Sequence, residues 1–202
     1  MKKLTLGILM AGLALSAGNV AGAGPGTGWT AEKWAACKDP KAMVMALKGL
    51  VSWSGGKERK PLVLAVCECA RLALPSLPKN YIDKPQKALE GMEKAAREED
   101  SSTGAAWNAY DSLLRDVPYF NDPSVPSIRV VISAYIAVAF AGAAATIEES
   151  AYAVEAAAYS MERSADVVAT ATRDPEERTR TLAKCADIVR RYFPNPPTGD
   201  TK

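Results

Sequence analysis

Between Ser127 and Thr172 the chain is rich in alanine and contains no proline, which predicts a long run of helix with close helix neighbours. Gly142 and Thr146-Ile147 mark a break, so the run divides into two antiparallel helices over 128–145 and 148–172. The first is only about 18 residues long, mostly alanine, and carries Arg129 and Ser133; that predicts a buried central helix rather than a membrane span. The second shows two opposed stripes. Ala151, Val154, Ala158, Met161, Ala165 and Val168 share one side, and Glu148, Tyr152, Glu155, Tyr159, Glu162 and Asp166 share another.

Helix punctuation is dense elsewhere. Thr30 is placed to cap a short helix through Trp34 and Cys37. Asp39-Pro40, Asp83-Lys84-Pro85 and Asp174-Pro175 each supply a capping carboxylate followed by a proline that a first turn accepts, and Glu177 is placed to reach back to the third cap. An apolar helix over 58–74 is ended by Pro75 and Pro78. Leu89, Met92, Ala95 and Ala96 mark the stripe of the next helix, and Trp107, Tyr110, Leu113 and Leu114 that of another. The last helix is expected to bury Leu182, Cys185, Ala186, Val189 and Phe193. No stretch alternates as a strand does. The expectation is an all-α fold, a single-domain bundle of about eight helices over 30–196 with an alanine-rich core, a linker at 24–29 and a mobile tail at 197–202.

The first residues read as an address. Lys2 and Lys3 precede an apolar stretch over 4–17, and Ala21-Gly22-Ala23 offers a small-x-small cleavage site, the layout of a secretory signal peptide over 1–23. The apolar run is roughly 14 residues, short of the ~20 that span a bilayer. Cleavage leaves no integral membrane span, and the expected location is the periplasm or beyond. The whole chain carries 25 Lys+Arg and 23 Asp+Glu, so loss of Lys2 and Lys3 leaves a mature protein with no basic surplus. Binding to nucleic acid is disfavoured accordingly.

The chain contains no histidine. Ser-His-Asp and Cys-His nucleophiles and His-ligated zinc are thereby excluded, and no cofactor or metal is expected. Carboxylate pairs, lysine nucleophiles and a four-cysteine metal site remain chemically possible. Cys37, Cys67, Cys69 and Cys185 form an even set suited to an oxidising compartment. Cys67 and Cys69 point about 200° apart on a helix and should not pair with each other, so Cys37 would join one and Cys185 the other. The alternative is that the cysteines serve as small buried apolar residues.

Two loops carry aromatic side chains. Trp53 lies in Val51-Ser-Trp-Ser-Gly-Gly-Lys57, and Tyr119 and Phe120 lie in Pro118-Tyr-Phe-Asn-Asp-Pro-Ser-Val-Pro126. Aromatic anchors on loops of a rigid scaffold suit a protein partner. Glu155, Tyr159 and Glu162 are expected to add a face complementary to a basic one.

Three segments resemble a known family. They are Trp34-Ala-Ala-Cys-Lys-Asp-Pro-Lys-Ala-Met43, Arg59-Lys-Pro-Leu-Val-Leu-Ala-Val-Cys-Glu-Cys-Ala-Arg71 and Lys184-Cys-Ala-Asp-Ile-Val-Arg-Arg-Tyr-Phe-Pro-Asn-Pro196. Their Asp-Pro, Cys-x-Cys and Phe-x-Asn-Pro elements resemble a helical domain of planctomycete-like bacteria, and the same all-helical, alanine-rich plan resembles the fifth immunity-protein family of polymorphic toxin systems. The resemblance implies a non-enzymatic protein that neutralises a toxin by binding it. The alternatives are an exported, non-catalytic scaffold of the cell envelope and, least favoured, a carboxylate-based hydrolase.

Overall fold

A computed structural model of the chain describes residues 28–48, 59–97, 108, 111–112, 128–146 and 150–197. The expected leader, Trp53, Tyr119, Phe120 and residues 198–202 lie outside the described residues. Among the described residues there are seven α-helices and no strand: α1 Ala31–Ala36, α2 Pro40–Ala46, α3 Arg59–Arg71, α4 Asp83–Arg97, α5 Ile128–Thr146, α6 Ser150–Thr172 and α7 Pro175–Tyr192. Short 3-10 turns at Leu74–Ser76 and Lys79–Tyr81 join α3 to α4. The helix expected around Trp107 and Tyr110 falls mostly outside the described residues, with Asn108, Asp111 and Ser112 in helical conformation.

The caps explain most of the boundaries. Thr30 Oγ1 accepts from Lys33 N at 3.2 Å, and Asp39 Oδ1 accepts from Lys41 N at 2.9 Å and Ala42 N at 3.1 Å. Asp174 Oδ1 accepts from Glu176 N at 2.9 Å. Each relieves backbone donors that a helix start leaves without a partner. Asp83 differs from the expectation. Ile82 is already in right-handed helical conformation and its carbonyl accepts from Gln86 N at 3.0 Å, so the preceding 3-10 turn feeds directly into α4 and Asp83 is its first residue. Glu177 also departs, for its carboxylate binds Arg180 at 2.6 Å.

All seven helices contribute to one buried apolar cluster. The largest interface joins α5 to α6, and α6 also meets α2, α3 and α7. Alanine and serine make this closeness feasible: Ala153, Ala156, Ala157 and Ala158 are buried on α6, and Ser160 Oγ donates to the Ala137 carbonyl at 2.7 Å. Burial on α6 is thus wider than the expected single stripe, because the helix is enclosed on several sides. No helix among the described residues is long and apolar enough to cross a membrane.

α1 is tied down by the far end of the chain. Trp34, 1% exposed, donates from Nε1 to the Phe193 carbonyl at 2.9 Å. Arg190 Nη1 in turn donates to the carbonyls of Trp34 at 3.2 Å and Cys37 at 2.5 Å, serving groups at the end of a helix too short to satisfy them itself. Trp29, the last residue of the expected linker, stands edge-on to Trp34 with ring centroids 5.3 Å apart, and Pro197 is buried. On α7, Leu182 is only half-buried, while Thr181 and Ile188 are buried.

Candidate interaction surface

The acidic face of α6 is met by the chain itself. Glu162 accepts from Lys41 Nζ at 3.1 Å and Glu155 from Lys48 Nζ at 3.2 Å, an antiparallel pairing of α2 and the residues just beyond it with α6. Asp166 accepts from Arg178 Nε at 2.7 Å. Tyr159 packs edge-on against Phe140 at 4.3 Å between centroids, and Arg163 lies over its ring at 4.8 Å while donating to its hydroxyl. The residues expected to greet a basic partner are therefore already engaged with cations of the same molecule. The seven-residue interval between Lys41 and Lys48 repeats that between Glu155 and Glu162, a signal present in the sequence.

Tyr152, on the same face, is different. Among the described residues it is the exposed large hydrophobic side chain, at 37%. It sits in the first turn of α6, at the end of the molecule where Arg59 Nη2 donates to the Ala144 carbonyl at 3.1 Å. Burial pulls the pKa of Arg59 down to about 10, which leaves it cationic at neutral pH and suited to the carbonyls that end α5. Lys48 and Arg59 flank residues 49–58, the segment that contains Trp53, and both are fastened at this end, one to Glu155 and one to Ala144. The segment containing Tyr119 and Phe120 leads instead into the opposite end of α5, whose 19 residues span about 28 Å.

A shallow groove of about 340 Å³ lies along α4, lined by Glu90, Glu93, Lys94 and Arg97. Its two carboxylates are engaged. Glu93 is clamped by Arg71 of α3 and lies 3.9 Å from Arg97, and Glu90 accepts from Gln86 at 2.9 Å. A hydrolytic pair needs carboxylate oxygens turned to a shared substrate, and here they turn to guanidinium and amide donors.

All four cysteines are free thiols. Cys67 is fully buried beside Glu93, Arg71 and Arg97, where burial and the nearby carboxylate push its thiol up. Cys69 faces α7, with Sγ 4.0 Å from the Cys185 carbonyl. Cys37 is half-buried at the α1–α2 junction and donates to the Asp39 carbonyl at 3.4 Å. The structure brings Cys69 to Cys185 and holds Cys37 and Cys67 in separate environments. Among the described residues no group of three or more Cys, Asp or Glu is arranged to hold a metal ion.

Comparison with known proteins yields no identity. No family model matches the chain, and no curated protein or solved structure matches it significantly.

Proposed function

We propose that this chain is an exported, single-domain helical bundle that binds another protein, and that it serves as an immunity protein occluding a cognate antibacterial toxin. The observation that carries this reading is the contrast along α6 between engaged charges and an exposed aromatic. Glu155, Glu162 and Asp166 have partners within the chain, whereas Tyr152 is exposed beside the anchored flanks of the Trp53 segment. Tyrosine and tryptophan supply large, stiff contact area, and a surface whose charges are already compensated gains little from non-specific electrostatics. The binding face is accordingly the α5–α6 end with Tyr152, and Trp53, Tyr119 and Phe120 stand as further candidate anchors on sequence grounds. Glu155 and Glu162 support this face by fixing α2 and the residue beyond it against α6, and Tyr159 by packing on Phe140 of α5.

Affinity capture from cells expressing the neighbouring genes tests the proposal. The wild type should retain one protein in stoichiometric amount, and Trp53→Ala combined with Tyr152→Ala should lose it without losing helicity. Recovery of no partner, together with no protection from any neighbouring gene product, would remove the reading.

A further inference from the structure

Helices α3 and α7 pack together with a cysteine on each. Cys69 and Cys185 are both at 0% exposure, and the Cys69 Sγ lies 4.0 Å from the Cys185 carbonyl oxygen. Cys67 sits on the other side of α3 beside Glu93, and Cys37 turns toward the Asp39 carbonyl. We infer that Cys69 and Cys185 are a disulfide-forming pair, joined when the chain folds in the presence of a disulfide donor, while Cys37 and Cys67 remain thiols. Formation in the cell rests on the export reading, because cytosolic thiol pools keep such pairs reduced. The choice of pair does not.

Chain connectivity alone cannot make this choice. Cys67 and Cys69 are two residues apart, so in an unfolded chain either closes a loop to Cys185 at nearly the same entropic cost. Helix packing separates them by turning Cys69 toward α7 and Cys67 toward α4. The chemistry is thiol–disulfide exchange with a donor of the glutathione-disulfide class. One cysteine thiolate attacks a donor sulfur and releases one donor thiol, leaving a mixed disulfide. The second cysteine gives up its proton and attacks the protein sulfur of that intermediate, forming the Cys69–Cys185 bond and releasing the second donor thiol. Two protein thiols are oxidised and one donor disulfide is reduced. In the folded protein burial pushes the Cys69 thiol well above its ordinary value, so the thiolate is scarce and exchange proceeds through transient opening of the α3–α7 contact, whose closure then selects the bond.

The test is to refold the full chain from denaturant with glutathione and glutathione disulfide, block remaining thiols by alkylation and measure the mass. The expected product carries two alkyl groups and has lost two hydrogens, and tryptic digestion should yield peptide 60–71 linked to peptide 185–190. Fragmentation of that linked peptide should place the bond on Cys69, a result that needs no variant to fold. Cys37→Ala and Cys67→Ala should keep the link, and Cys69→Ala and Cys185→Ala should lose it. Reductant should lower the Tm of the bridged protein by about 10 °C, as a loop of this length implies. Four alkylated thiols in refolded wild type, or a bridge placed on Cys67 or Cys37, would overturn the inference. Fractionation of cells is a separate arm: a chain that keeps its leader and stays in the cytosol removes the export reading, and the refolding result still decides the pair.

Discussion

Helices α1 and α2 are both short and both lie against the C-terminal half, yet they are attached in different ways. α1 is held by one buried side chain and one cation: Trp34 reaches the Phe193 carbonyl, and Arg190 serves the carbonyls of Trp34 and Cys37. α2 buries Met43 and Val44, but its charged seam to α6 consists of Lys41–Glu162 and Lys48–Glu155, with side chains 28% to 41% exposed. The cations do different jobs. Arg190 replaces backbone hydrogen bonds that a six-residue helix cannot make for itself, whereas Lys41 and Lys48 neutralise carboxylates that water would otherwise solvate. A guanidinium on backbone carbonyls therefore counts as structure, and an ammonium on a wet carboxylate sets surface charge and alignment.

The contrast can be broken by mutation. Trp34→Ala should have the largest effect, a loss of about 3–5 kcal/mol in denaturant unfolding, because it empties a fully buried aromatic site. Arg190→Met should cost about 1–3 kcal/mol and Arg190→Lys somewhat less, since a lysine keeps a cationic donor but cannot serve the two carbonyls and Asp187 together. Unchanged stability in Arg190→Met would make the two attachments alike and end the distinction. Lys41→Ala and Lys48→Ala should each cost under about 1 kcal/mol, and the loss should shrink further in 1 M salt. A larger, salt-independent loss would show that the α2 seam also acts as structure. Tyr152→Ala should move stability least, within about 0.5 kcal/mol, while weakening capture of the partner.

The parts of the fold that local chemistry determines were legible in the sequence. Thr30, Asp39 and Asp174 cap as their side chains allow, and the alanine run divides close to Thr146. Asp83 was misread because its role depends on the 3-10 turn before it, which the Asp-x-Pro pattern does not contain. The burial of Thr181 in place of Leu182 is likewise a matter of how α7 is rotated against its neighbours, which periodicity fixes only to within one position. On the surface, the acidic stripe of α6 was visible but its owner was not. A charge pattern on one helix says what it would attract, and only the packing of α2 reveals that the cations come from the same chain. Tyr152 belonged to that stripe all along; its exposure separates it from Tyr159, which Phe140 and Arg163 enclose.

The most direct measurement is growth of cells that express each neighbouring gene product with and without the full-length chain. The account predicts that one product arrests growth, that the wild-type chain restores it, and that the Trp53→Ala, Tyr152→Ala double variant, folded and exported to the same level, does not. Restoration by the double variant would contradict the proposed binding face, and absence of protection against every product would contradict the immunity function itself.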